Sequence, residues 1–215
     1  MRDDHAVSLE RAAVVTRIAE IVAAFELPHP VRVAIDGVDA AGKTTLADEL
    51  APLVGRPVVR ASVDGFHRPR VERGETAEAY YADAFDYEAL RRVLLEPLGP
   101  GGSRRYRAAV FELERDAPVA AEWRVAPPDA VLLCDGVFLH RPELDGCWDL
   151  TVFVAVELAV AVERAIARDG EAMRGRYRSR YVPAQRGYLA EERPEERADV
   201  VLDNTDPARP RLLRA

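Results

Sequence analysis

The sequence predicts an α/β fold, a doubly wound sheet of five parallel strands flanked by helices. Three observations carry that reading. Apolar stretches recur as continuous runs rather than alternating ones, which suits parallel strands covered on both faces. Segments of helical periodicity separate them, in a strand–helix–strand rhythm. The first run also leads straight into Gly37-Val38-Asp39-Ala40-Ala41-Gly42-Lys43-Thr44, a G-x-x-x-x-G-K-[ST] loop that opens a helix. The chain has 215 residues, 48% of them hydrophobic, which suits one domain over 1–215 with a substantial core.

Residues 1–28 hold an amphipathic helix, read over Ser8 to Phe25. Ser8 suits its N-cap, Ile18, Ile21, Val22 and Phe25 share a face, and Pro28 and Pro30 end it. Val31 to Ile35 is the first strand; Thr45 to Ala51 is the helix after the loop, stopped by Pro52. Val58 to Val63 is the second strand and Asp86 to Leu95 a helix. Region 99–127 breaks the rhythm. Gly99 to Ser103 is a loop by composition, and two β-like pieces follow, around Tyr106–Leu113 and Val119–Val125. They read as a hairpin inserted at the sheet edge. Ala130 to Cys134 and Leu150 to Val156 are the third and fourth strands, Glu157 to Asp169 is a helix ended by Gly170, and Val200 to Leu202 is the fifth strand. Residues 170–190 are rich in arginine and read as a lid; Pro207 to Ala215 read as a loose tail.

Composition narrows the function classes. A net charge of −7 argues against a protein built to coat nucleic acid. Cys134 and Cys147 fit no zinc spacing. No apolar stretch follows the first residues as a leader would need, and the longest apolar run, Leu150 to Val156, is too short to span a bilayer. A soluble cytoplasmic protein is expected, with no nucleic-acid or membrane partner. Its oligomeric state is open, a homo-oligomer included.

The loop has legible chemistry. Its glycines let backbone N–H groups turn inward around phosphate oxygens, Lys43 reaches the β- and γ-phosphates, and the Thr44 hydroxyl suits Mg²⁺. The helix that starts there adds the positive end of its dipole. Asp64 follows the second strand, on the rim where open α/β sheets bind ligands. A carboxylate there can accept a proton from an attacking hydroxyl; the Asp64-Gly65 pair equally suits a turn. Asp135 follows an apolar strand, as a Mg²⁺-holding Walker B carboxylate does, and Asp135-Gly136 also suits a turn. Arg164 and Arg168 share a helix face, and Arg174, Arg176, Arg178, Arg180 and Arg186 follow. Such arginines stabilise a transferring phosphoryl group, and a lid would exclude water; the alternatives are a solvated basic face or an RNA-binding patch, the patch being the weaker given the net acidity.

These residues resemble the uridine kinase group of P-loop kinases, which includes phosphoribulokinase and bacterial-type pantothenate kinase. The resemblance runs from about Val31 to Asp206, through Gly37–Thr44, Val63-Asp64-Gly65-Phe66-His67, Asp135-Gly136-Val137-Phe138, Arg164 with Arg168-Asp169, and Ala198 to Asn204. It implies a P-loop kinase fold with a lid, and ATP-dependent transfer of a phosphoryl group to a small-molecule hydroxyl, a nucleoside 5′-hydroxyl above all. It implies Asp64 as the base and Lys43 and Arg168 as its catalytic partners. ATP would meet Gly37 through Thr45, Arg164, Arg168 and Asn204. The acceptor would meet Asp64, Phe66, His67, Tyr106, Arg115, Asp135, Arg174 and Arg176, and Thr44 and Asp135 would hold Mg²⁺. The match is incomplete at the hairpin. Of the Tyr-Asp-Phe…His…Arg pattern around the base, only Tyr106 and Arg115 are present. Pantothenate kinase is a near rival through Val63-Asp64-Gly65-Phe66. A thymidylate-type kinase lacks its Asp-Arg-Tyr here, and a GTPase-like switch lacks the lysine in Asp203-Asn204-Thr205-Asp206.

Overall fold

The computed structural model describes residues 10–215. Helix α1 (Arg11–Ala23) buries Val14, Val15, Ile18, Ala19 and Val22 as one stripe. Glu10 stands at its N-cap, and the expected cap Ser8 lies outside the described residues. Strand β1 (Val31–Gly37) is buried at every position and runs through the loop into α2 (Lys43–Leu50), whose Leu46, Ala47 and Leu50 pack beneath it. Strand β2 (Val58–Ser62) passes into a tight turn over Val63–Phe66. Helix α3 (Ala77–Asp83) starts at a Thr76 cap and α4 (Tyr87–Leu90) at an Asp86 cap, and α4 widens through Arg91–Leu95.

Four two-residue strands follow: β3 (Arg105–Tyr106), β4 (Phe111–Glu112), β5 (Ala117–Pro118) and β6 (Arg124–Val125). They form an interrupted antiparallel hairpin, separate from the main sheet rather than extending its edge. β3 pairs with β6 and β4 with β5, and neither ladder joins the main sheet. The arm instead lies over the exit of β2. The Val110 amide donates to the Gly65 carbonyl at 2.8 Å, and a side chain on Gly65 would meet the Ala109 methyl at 2.8 Å. The run 104–125 is too short of alternating apolar residues to extend a sheet, so it folds against backbone and loop.

The chain returns through β7 (Val131–Gly136), β8 (Leu150–Ala155) and α5 (Leu158–Asp169), which Gly170 ends at φ 93°. The predicted lid is a run of helical turns: α6 (Arg174–Arg176), a wider turn over Tyr177–Tyr181, then α7 (Val182–Glu192). After α8 (Pro194–Arg197) come β9 (Val200–Asp203) and β10 (Arg211–Arg214).

Among the described residues the sheet has six strands in the order β10-β9-β8-β1-β7-β2. Five are parallel, as expected; β10 is an antiparallel edge. The second half of the tail expected at Pro207–Ala215 is therefore a strand. Two arginines fasten it. Arg211 pairs with Asp203, and Arg214 donates to the carbonyls of Glu195, Glu196 and Ala198. One apolar core fills the α1/α2 face of the sheet and a second the face covered by α3, α4 and the arm. No helix among the described residues is long and apolar enough to cross a membrane.

Candidate active site

The loop after β1 is shaped by where its side chains go. Val38 and Ala41 are buried in the core, so the backbone is left to line the site. Ala40 and Gly42 take left-handed conformations, at φ 54° and 94°, which curl the loop. Beneath it lies Asn204, whose Nδ2 donates to the Ala41 carbonyl at 2.7 Å; a Cβ on Gly42 would come within 2.6 Å of that nitrogen. Arg11 donates to the Asn204 Oδ1 at 3.1 Å, and Arg164 donates to the carbonyls of Asn204 and Thr205. The resemblance implies that Asn204 and Arg164 face the nucleotide. Their side chains brace the floor of the loop, because each has backbone carbonyls within reach that need a donor.

Lys43 lies with its Nζ 2.7 Å from the Val38 carbonyl, which accepts from it. Burial pushes its pKa down, while Asp39, Asp36, Asp64 and Asp135 pull against that. Thr44 and Thr45 are both exposed, on the solvent side of the loop. The Thr44 hydroxyl donates to Asp135 Oδ2 at 2.6 Å. Asp135 ends β7, between β1 and β2, opposite Ile35 and Ser62. Its other oxygen faces Arg60 Nη2 at 3.2 Å, a partner the sequence did not single out. Thr44 and Asp135 together form a hard-oxygen pair that fits Mg²⁺, an ion held by one or two protein oxygens with phosphates and water supplying the rest. Among the described residues no cluster of three or more His, Cys, Asp or Glu is placed to hold a metal unaided.

Asp64 sits in the tight turn after β2. Its carboxylate does not cap that turn; Ser62 does, accepting from the Asp64 amide at 3.3 Å. The Asp64 side chain is 64% exposed and lies 3.4 Å from the Nε2 of His67. Desolvation would raise its pKa, but His67, Lys43 and Arg168 outweigh that and hold it below the usual carboxylate range. His67 itself is buried. Its Nδ1 lies 2.9 Å from the Ala84 carbonyl and its ring stacks on Phe85 at 4.4 Å. It is thus fixed from behind and presents one nitrogen to Asp64.

Other residues expected at the site are engaged within the protein. Phe66 is fully buried and Tyr106 nearly so; both belong to the core, because the tight turn and the arm point them inward. Arg174 is held by Glu163 and Glu171, and Arg115 faces Glu112 at 3.4 Å. Arg176 lies 5.8 Å over the Tyr181 ring. Arg168 pairs with Asp169, yet its charge still reaches Asp39 and Asp64. Beside His67 a cavity of about 390 Å³ opens between the arm and the loop after the tight turn, lined among others by Arg68, Glu72, Asp86, Glu88 and Val110. Asp116 of the arm ties its two walls, accepting from the Arg70 amide at 3.0 Å and from Arg73 at 2.9 Å.

Helix α7 reaches the loop from above. Gln185 Nε2 donates to Asp39 Oδ2 at 2.6 Å, and Gln185 Oε1 accepts from the Asp39 amide at 3.1 Å. Three residues on, the Tyr188 hydroxyl donates to Asp36, which also accepts from the Gly37 amide at 2.7 Å and lies 2.6 Å from His140 Nδ1. Sequence reading missed Gln185, Tyr188, Asp36 and His140. Their partners lie 104 to 152 residues away, so no local signal in the sequence pointed to them.

A glycine-rich loop leaving the middle strand of a mostly parallel sheet and opening a helix, with helices on both faces, defines the P-loop kinase fold. No family model matches the chain. It is 29% identical over 141 residues to the uridine kinase of Halobacterium salinarum, covering 64% of this chain and 61% of that protein. The chain thus spans about three fifths of that relative's length. In structure it is similar to a possible uridine kinase from Bacillus stearothermophilus, with a TM-score of 0.69 at 23% identity over 87% of this chain and 96% of that one. It is also similar to a putative fructose transport system kinase from Silicibacter, with a TM-score of 0.67 at 23% identity over 85% and 95%. The likeness in sequence and fold is to the uridine kinase-like family of P-loop kinases.

Proposed function

We propose that the protein transfers the γ-phosphoryl group of ATP to a hydroxyl of a small metabolite, with a nucleoside 5′-hydroxyl as the favoured acceptor. The observation that carries this reading is that Lys43, Asp64 and the hydrogen-bonded Thr44–Asp135 pair lie just beyond or at the ends of the neighbouring strands β1, β2 and β7. The loop amides and Lys43 hold the phosphates. Thr44 and Asp135 would hold Mg²⁺, which supplies charge neutralisation between the phosphates when bound. Asp64, kept ionised, takes the proton of the acceptor hydroxyl as its oxygen bonds to the γ-phosphorus and ADP leaves. His67 aims that carboxylate. Arg168 offsets the charge spread over the transferring group.

The acceptor is assigned to the cavity beside His67, the residue that faces Asp64; Asp64 itself is not on the cavity wall, so the acceptor's hydroxyl must reach past His67 to it. Glu72, Asp86 and Glu88 outnumber Arg68 and His67 on its walls, so it favours a neutral polyhydroxyl molecule over an acceptor bearing carboxylate or phosphate. That weighs against pantothenate and against a nucleoside monophosphate. The test is ADP release from MgATP with a panel of nucleosides, neutral sugars and pantothenate. Stimulation by at least one neutral hydroxylated acceptor is expected; stimulation by none would overturn the reading.

A further inference from the structure

The loop carries an acidic residue in a place built for anions. Asp39 lies between Val38, whose carbonyl accepts from Lys43, and the left-handed Ala40. A carboxylate free to rotate there would compete with phosphate for Lys43 and would repel the polyphosphate. It is not free. The side-chain amide of Gln185 grips it at two points, donating to the carboxylate at 2.6 Å and accepting from its own backbone amide at 3.1 Å. A two-point grip fixes direction as well as distance. Gln185 is itself buried, and α7 is seated on the same stretch of chain a second time through Tyr188 and Asp36. A primary amide suits this place. It both donates to the carboxylate and accepts from the amide, without adding charge beside the phosphates.

We propose that Gln185 is a positioning residue for nucleotide binding: from α7 it holds the Asp39 carboxylate out of the phosphate cradle. The inference rests on the reading that this loop binds a nucleoside triphosphate. It also gives the segment after the arginine-rich turns a definite task, which is keeping the loop's own charge away from its ligand.

The experiment measures MgATP affinity by calorimetry, and Tm in parallel, for the wild-type chain, Gln185→Glu, Asp39→Asn and the double variant. Gln185→Glu sets two carboxylates against each other and should weaken binding roughly tenfold or more, the scale of a lost charge-assisted hydrogen bond. In the double variant the side-chain amide introduced at position 39 donates to the carboxylate introduced at position 185, which still accepts from the backbone amide. The grip is remade with donor and acceptor exchanged, and affinity should return to within about threefold of Asp39→Asn alone. Undiminished affinity in Gln185→Glu would overturn the inference. So would an equal loss in the double variant, since the remade grip should restore what the clash of carboxylates removed. A wild-type chain that binds no nucleotide would instead remove the nucleotide reading itself, and the inference with it.

Discussion

The proposed phosphate end and the proposed acceptor end of this molecule are built differently. At the phosphate end, the loop is fixed from below by Asn204, from the side by Thr44 and Asp135, and from above by Gln185. It leaves a strand buried at all seven positions. At the acceptor end, the arm is two ladders of two residue pairs, tied to its neighbours by the Val110–Gly65 bond and by Asp116. The difference separates what is shared by many phosphoryl-transfer proteins from what varies among them. A triphosphate always presents the same oxygens, so its cradle can be rigid. Acceptors differ, and short ladders over a polar cavity can be altered without disturbing the sheet.

The comparison breaks most sharply at Asp64. Asp64→Asn should lower kcat by about 10³-fold, within the range of a lost general base, while the KM for ATP changes little. A comparable rise in that KM would mean Asp64 belongs to the phosphate end. Asn204→Ala should come next. It strips the buried Ala41 carbonyl of its donor and Arg11 of one of its acceptors, Glu49 and the Pro207 carbonyl remaining, and should cost about 1–3 kcal/mol of stability by denaturant unfolding and weaken ATP binding. Unchanged stability would show that the loop holds itself.

A finer test concerns pH. His67 helps hold the Asp64 carboxyl low, so the working ionised form persists below the usual carboxylate range and is lost only as pH falls through that lowered value. His67→Gln removes that help, raises the Asp64 pKa and should move the acidic limb of kcat/KM to higher pH. A limb that stays put would place the control elsewhere. The smallest effects are expected at Arg174 and Arg115. Their exposed pairs with Glu163, Glu171 and Glu112 are worth little once water screens them, so alanine there should alter turnover by less than about threefold. A hundredfold loss at Arg174 would show that it leaves those glutamates for the phosphates.

The same contrast explains what the sequence made legible. β1, the loop and α2 are contiguous, and their signals — a β-branched run, two glycines, a helix start — are local. The strands β7, β8 and β9 are equally readable as apolar runs. What escapes is long-range. Gln185 meets Asp39 across 146 residues, His140 meets Asp36 across 104, and Arg60 meets Asp135 across 75. No local periodicity encodes such pairs. Sequence places Phe66 and Tyr106 at the acceptor because they fall within motifs shared with the kinases; a tight turn and a short ladder send both into the core. The tail becomes β10 because Asp203 and the carbonyls around Glu195 attract its arginines, partners that lie outside the segment itself.

The position of β1 has a consequence in time as well as in space. Its partners are Val131 onward and Leu150 onward, both far downstream. During synthesis from the N-terminus the glycine loop therefore emerges long before the strands that hold it from either side. Until β7 and β8 arrive, a highly apolar segment waits without a sheet to join, and pairings of such sequence separation are slow to form. The portion of the chain that was easiest to recognise is thus among the last to acquire its shape, and any fragment ending before β8 would carry the motif without the cradle.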